Sequence, residues 1–432
     1  MVVGQLVADT VDLNHRIEGR SFTIGWLLES LRENDQHYNS LHGNRAVKEV
    51  LSSDVSGGKG FISIICRCII KFVDSIDETD IYTTIIKIPG FESLEETTDK
   101  CDSGKWFDEE TKKEVTELHK LECSFYSELA PIFDIPLPKV FKTVEWNYGI
   151  QEGCIHMEDL TLKGKTISFF DNINLTQVKG FIQHLAHWHK NILTADPAIW
   201  KDKFVFKKMD AFKNAIVAFD KMSEAFVEKS SMKHLLEPFF KKYRTLSSNF
   251  DFMIYSTKEA IDKLDIPHVI VHGDMHSGNL MFAIDKNGDI QNEIAAFVDW
   301  QTMHEGSPME DLARFLSLCA DGVVRRQAEE FGIQYYFDCL VKEYGGEKEK
   351  VPYTIEKLQK AYNFAFSTQG LFGLGIVPFF MGALEGRLQS QTLKNAYRDY
   401  GTLKALHLLE DVDRLMSGEM KNVFERFGKN EE

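Results

Sequence analysis

Apolar positions divide this chain into a strand-rich first third and a helix-rich remainder. Near the start, Thr23 precedes Trp26, Leu27, Leu28 and Leu31, which predicts a capped helix. Val47 to Val73 reads as two strand-like runs interrupted by Gly57-Gly58-Lys59-Gly60. In Tyr82 to Pro89, Thr83, Ile85 and Lys87 alternate with Thr84, Ile86 and Ile88, the period of a strand. Leu118, Leu121, Phe125 and Leu129 recur at three- and four-residue intervals and predict a helix within Phe107 to Leu129. Val140 to Trp146 and Cys154 to Met157 read as further strands, and from Leu175 the period becomes helical.

Late in the chain, strands return. Val269, Ile270 and Val271 are wholly β-branched and suit a buried strand. A polar loop follows, then Leu280, Met281 and Phe282 resume an apolar run. Asn287-Gly288 marks a hairpin that leads through Ala295 to Val298 into Asp299-Trp300-Gln301. Asp274, Asn279 and Asp299 thereby fall at neighbouring strand ends. Tyr335 to Phe427 reads as helices. Within it, Ala361 to Leu384 carries no charge, and its four glycines and Pro378 predict a buried helix pair broken near Gly373-Gly375-Pro378 rather than a membrane span. The pattern is α+β. Residues 1–45 read as a helical extension, 46–160 as a small sheet-bearing lobe with one helix, and 161–432 as a mainly helical lobe.

Phosphoryl transfer requires a carboxylate facing a hydroxyl and hard oxygen ligands that hold Mg²⁺ against phosphates. Asp274 and Asn279 have the D-x-x-x-x-N spacing that serves this in protein kinases, with His272 two residues ahead and Asp299 after one hairpin. The full set, V-I-V-H-G-D-x-x-x-x-N-L-x-F followed by F-V-D-W, resembles the aminoglycoside-phosphotransferase and choline-kinase superfamily. The likeness is greatest to its choline-kinase-like, ecdysteroid-kinase-like branch. That resemblance implies a bilobal protein-kinase-like fold, with Asp274 as catalytic base and Asn279 and Asp299 as Mg²⁺ ligands. It also implies ATP as phosphoryl donor and a small-molecule hydroxyl as acceptor, whether choline-like, sterol-like or a xenobiotic alcohol.

Other positions follow the same resemblance. Gly57, Gly58 and Gly60 stand in a G-K-G-F-x-S segment like the branch's nucleotide loop, where glycine lets backbone N–H groups approach phosphates. Lys87, the one cation in its strand, would reach the phosphates if a carboxylate fixed it. Glu117, Glu122 and Glu128 are available, and Glu122 matches the family's E-x-x-F-Y pattern. Met157 and Glu158 resemble the segment joining the lobes, whose backbone would pair with adenine. Asp311, in P-x-x-D-L-A, would order the active-site loop, and His276 reads as a loop residue near the phosphates.

Competing chemistries are weaker. Asp274-x-His276 with Gly278 resembles the first metal motif of calcineurin-type phosphoesterases, but their later G-D-x-x-D and G-N-H segments are absent from the sequence. A kinase fold that binds a nucleotide without turnover is the other alternative. His184, His187 and His189 look like a metal cluster, yet His189 points away and no carboxylate is expected to join them. A net charge of −16 disfavours nucleic acid and anionic membranes as partners. Seven scattered cysteines without ligand spacing, and an N-terminus without a basic region, read as a reduced, cytoplasmic protein.

Overall fold

The computed structural model describes residues 8–55, 62–91, 109–205, 210–385 and 388–429 of the 432-residue chain. The expected glycine loop with Gly57, Gly58 and Gly60 lies outside the described residues. The chain divides into two compact units. The first comprises Met1–Glu95, Val115–Cys123 and Pro138–Leu162, and the second Glu96–Glu114, Ser124–Leu137 and Lys163–Glu432.

In the first unit, β1 (Val47–Asp54), β2 (Ser63–Phe72), β3 (Ile81–Pro89), β4 (Val140–Val144) and β5 (Cys154–Glu158) form an antiparallel sheet in the order β1-β2-β3-β5-β4. The alternation of β2 sends Cys66, Cys68, Ile70 and Phe72 to one buried face. Helix α1 (Ile24–Asn34) covers that face. Its cap is the Thr23 hydroxyl, which accepts from the Trp26 N–H at 3.2 Å, and α2 (Gln36–His42) follows. Ile24, Leu27, Leu28 and Leu31 share one core with Cys66, Cys68, Ile86 and Ile88. Residues expected as an extension are therefore part of the sheet's own core, because β1–β3 would otherwise expose an apolar face. The sheet is covered by more than the one helix expected. A polar pin sits within this core: His156 lies between the Ser30 hydroxyl at 2.7 Å and the Thr84 hydroxyl at 2.9 Å.

Helix α3 (Glu109–Ser124) runs on through a π-helical turn, Phe125–Leu129. The second unit holds β6 (Gly164–Thr166), β7 (Val269–Val271), β8 (Leu280–Ile284), β9 (Ile290–Phe297) and β10 (His304–Gly306). They form a three-stranded antiparallel sheet, β6-β8-β9, and a separate antiparallel pair, β7 with β10. Its helices include α4 (Leu175–Thr194), α5 (Asp210–Lys229), α6 (Glu310–Cys319), α7 (Gly322–Glu343), α8 (Ile355–Glu385) and α9 (Gln391–Ser417). An aromatic core ties these together. Trp300 stacks on Phe125 with ring centroids 3.9 Å apart, and Phe181 stacks on Phe315 at 4.0 Å.

One expectation about α8 is corrected. The helix is continuous from Ile355 to Glu385, with Pro378 inside it. Its glycines serve close packing rather than a break. A Cβ at Gly370 would lie 2.5 Å from Val412 of α9, and one at Gly375 would lie 2.7 Å from Phe219 of α5. Burial on neighbouring helices outweighs the low local propensity of Gly and Pro. Among the described residues this is the one helix long and apolar enough to cross a membrane, and 67% of its most apolar window is buried in the protein.

Two outcomes follow. Gly370→Leu should lower stability by about 1–3 kcal/mol through overpacking against Val412, measured by urea denaturation. Burial lowers the His156 pKa from 6.5 to about 3. The folded state thus favours the neutral ring, and the stability this contributes is lost as pH falls from about 6.5 towards 3. Thermal unfolding midpoints across that window should fall less steeply in His156→Gln than in the wild type.

Candidate active site

Two constellations emerge, one in each unit. In the first, β3 carries Lys87 and α3 carries Glu122. The Lys87 Nζ donates to both Glu122 oxygens, at 2.8 and 2.6 Å, and both side chains are buried. Removing two charges from water costs several kcal/mol that their attraction barely repays, so such a pair is weak evidence for a stability role. Of the three candidate glutamates, Glu117 instead pairs with Lys120 at 2.7 Å and Glu128 is exposed. Behind the pair, His119 Nε2 meets the Val144 carbonyl at 2.9 Å, and burial lowers its pKa to about 4.

Met157 and Glu158, expected beside adenine, stand at the end of β5. The Glu158 N–H donates to the Lys139 carbonyl at 2.9 Å, and the Met157 carbonyl accepts from Thr84 Oγ1 at 2.8 Å. Both groups are engaged inside the sheet, because β5 is an interior strand flanked by β3 and β4. The Glu158 N–H is already spent, while the Met157 carbonyl keeps a second lone pair.

The second constellation grows from the end of β7. His272 is fully buried, and burial pulls its pKa to about 4. Its neutral ring links two chain segments. The Nε2 atom faces the Val298 carbonyl at 2.9 Å, and Nδ1 accepts from the Asp274 N–H at 3.2 Å. Gly273 has φ +80°, and a Cβ there would meet the Thr302 carbonyl oxygen at 2.5 Å, so the turn admits only glycine. Asp311, near the start of α6, closes the turn. Its carboxylate accepts from the His272 N–H at 2.7 Å and the Gly273 N–H at 3.0 Å. Burial pushes its pKa up to about 7, while those N–H groups pull the other way.

Asn279 closes the loop at its far end. Its Nδ2 donates to the Asp274 carbonyl at 2.9 Å and lies 3.4 Å from Asp274 Oδ2. Its own carbonyl accepts from the Val298 N–H at 3.0 Å, which sets Asn279 one residue from Asp299 across the β8–β9 register. Asp299 itself adopts φ 69°, ψ 58°, a left-handed conformation that is uncommon outside glycine and costs on the order of 1–3 kcal/mol. Trp300 beside it is buried. Asp274, Asn279 and Asp299 are thus assembled at adjoining strand ends.

His276 turns back on its own loop. Its Nδ1 accepts from the Gly278 N–H at 3.0 Å, its Nε2 lies 3.6 Å from Asp274 Oδ2, and its ring meets the edge of Phe380. The residue missing from the sequence reading is Arg314, three positions after Asp311 on α6. Its Nε and Nη2 donate to Asp274 Oδ1 at 3.1 and 2.5 Å, and its Nη1 donates to Gln369 Oε1 on α8 at 2.8 Å. Burial acts to raise the Asp274 pKa. Arg314 and then His276 overcome it and hold the carboxyl well below the usual range. The i, i+3 spacing of Asp311 and Arg314 was visible in D-L-A-R and could have pointed to it.

Among the described residues, no group of three His, Cys, Asp or Glu side chains could hold a metal ion. His272 spends both ring nitrogens on the Val298 carbonyl and the Asp274 N–H, and His276 Nδ1 accepts from the Gly278 N–H. The donors present suit a hard cation that takes two protein oxygens and leaves other positions to phosphates or water. The Asn279 amide fits such a role, because its nitrogen is bonded back to the loop and its oxygen points away from that bond. The histidines of α4 also separate. His187 does meet carboxylates, Glu343 at 2.9 Å and Asp134 at 3.4 Å, contrary to expectation, because α7 packs alongside, whereas His189 is buried against the Tyr336 hydroxyl.

The chain is similar to one curated protein with an oxidoreductase name and to one described as kinase-like. The chain is 26% identical over 356 residues to "Uncharacterized oxidoreductase dhs-27" of Caenorhabditis elegans, covering 81% of this chain but 41% of that protein. It is 22% identical over 296 residues to an uncharacterized kinase-like protein of the same organism, covering 65% of this chain and 70% of the other. The chain thus spans less than half the length of the first relative, and the activity in that relative's name describes the longer protein. Among solved structures, an ADP-bound aminoglycoside phosphotransferase matches with a TM-score of 0.36 at 13% identity, covering 87% of this chain and 97% of that one. A microcompartment-associated aminopropanol kinase matches with 0.38 at 11%, covering 92% and 98%. Likenesses this distant leave the chemistry to the chain's own residues. The family described as "Uncharacterized oxidoreductase dhs-27" matches residues 40–419, most of the sequence, and the chain belongs to that family, DUF1679.

Proposed function

We propose that this chain is an ATP- and Mg²⁺-dependent phosphotransferase that moves the γ-phosphoryl group to a hydroxyl of a small organic molecule. We place it with the choline-kinase-like, ecdysteroid-kinase-like branch of the aminoglycoside-phosphotransferase superfamily. The observation that carries this reading is the Asp274 carboxylate. It is held ionised, anchored through Oδ1, and set beside an Asn279 amide whose nitrogen is already spent. A carboxylate of such low basicity suits a loose phosphoryl-transfer transition state, in which orienting the hydroxyl matters more than early proton removal.

The acceptor oxygen bonds to the γ-phosphorus while the bond from that phosphorus to the β,γ-bridging oxygen breaks, and ADP leaves with the electron pair. The hydroxyl proton passes to Asp274 Oδ2. Bound through Asn279 and Asp299, Mg²⁺ would supply charge neutralisation at the phosphates. In the first unit, the Lys87 ammonium, fixed by Glu122, is assigned to phosphate binding. Neutral and cationic alcohols, from choline-like amines to sterols, are the acceptor classes. The described cysteines are free, five of the six buried, which suits a reducing cytoplasmic location.

Asp274→Ala should cut ATP turnover with a metabolite extract by roughly 100-fold or more, while the Mg²⁺-ADP thermal shift stays intact. Turnover of the variant at the wild-type rate would remove Asp274 from this role. Asp299→Asn should weaken the Mg²⁺-dependent part of the ADP shift, and Lys87→Met should raise the ATP KM. A protein that binds nucleotide identically with and without Mg²⁺, and never turns it over, would instead be the non-catalytic alternative.

A further inference from the structure

We propose that Arg314 is a positioning residue for this reaction, fixing Asp274 through one carboxylate oxygen so that the other meets the acceptor hydroxyl. The inference rests on the reading of Asp274 given above and goes beyond it by naming what holds that side chain.

The geometry is asymmetric. An arginine paired with a carboxylate commonly lays its planar fork across both oxygens. Here Nε and Nη2 converge on Oδ1 alone, at 3.1 and 2.5 Å. Among the described residues, Oδ2 faces the Asn279 amide at 3.4 Å and His276 Nε2 at 3.6 Å, the second beyond hydrogen-bond reach. The carboxylate is therefore pinned without being capped. Oδ2 takes one long hydrogen bond from the Asn279 amide and keeps capacity for a further donor.

The guanidinium is itself held on its far side. Its Nη1 bonds to Gln369 Oε1 at 2.8 Å, and Gln369 is buried on α8. On its own helix, Arg314 stands three residues after Asp311. One face of α6 thus addresses the 272–279 loop twice. Asp311 binds the backbone of His272 and Gly273, and Arg314 binds the side chain of Asp274. The backbone clamp places the turn, and the arginine selects the rotamer of the residue that follows. Lysine would supply the charge without the two converging donors and the third, Gln369-directed one.

The test compares Arg314→Gln, Arg314→Lys and Arg314→Ala with the wild type and Asp274→Ala. The readouts are ADP release with a metabolite extract, the ATP KM, the Mg²⁺-ADP thermal shift and the unfolding midpoint. Arg314→Gln should lower kcat by about 10- to 100-fold, with the ATP KM and ADP shift within twofold of wild type. Arg314→Lys should recover part of that loss, and added guanidinium ion at non-denaturing millimolar concentration should partly restore Arg314→Ala. If Asp274→Ala is impaired but Arg314→Gln turns over like wild type, this inference is overturned and the proposed function stands. A wild type without turnover, or one indifferent to Asp274→Ala, overturns both. Arg314 variants that all fail to fold, or that lose nucleotide binding in step with turnover, would show a structural role and also overturn it.

Discussion

The second unit depends on a buried carboxylate that binds backbone rather than a cation. Asp311 receives the N–H groups of His272 and Gly273, two donors that the chain exposes as it leaves β7 through a left-handed glycine. Left unpaired in an apolar core, each would cost about 1–3 kcal/mol. By satisfying both, Asp311 makes the sharp turn possible, and the turn in turn directs Asp274 away from the strand. The loop that carries Asp274 and Asn279 takes its position from that bend.

The neighbouring histidine follows the same logic. A charged imidazole at position 272 would lose the acceptor nitrogen that receives the Asp274 N–H. Burial keeps the ring neutral, so one nitrogen donates to Val298 and the other accepts. The ring thereby ties the end of β9 to the loop after β7, two segments that belong to different sheets. Trp300, packed on Phe125 and close to the His272 ring, gives this link a rigid floor.

In the first unit the same economy applies to a charged pair. Lys87 and Glu122 are nearly dry, and the sheet that bears Lys87 is covered by α1 through a core of Leu27, Leu31, Cys66 and Ile86. The apolar cover supplies the stability that the ion pair does not. What the pair provides instead is a lysine ammonium fixed at one point of β3.

Strand period, helix spacing and the H-G-D-x-x-x-x-N loop were determined by the sequence alone, because each depends on neighbours within a few residues. The α+β division, β3 with its single lysine, and the side chains of Asp274, Asn279 and Asp299 were legible for that reason. The rest required tertiary contacts. The E-x-x-F-Y resemblance already singled out Glu122, but only packing brought it to Lys87, paired the Glu158 N–H within the sheet, and merged the first helices into the β-sheet core. Only packing kept α8 whole through its glycines and proline, since the partners that fill those notches come from α5 and α9. Arg314 and Gln369 lie 40 and 95 positions from Asp274 in the chain. No local pattern specifies which carboxylate a distant guanidinium will meet, and that choice was made by the fold.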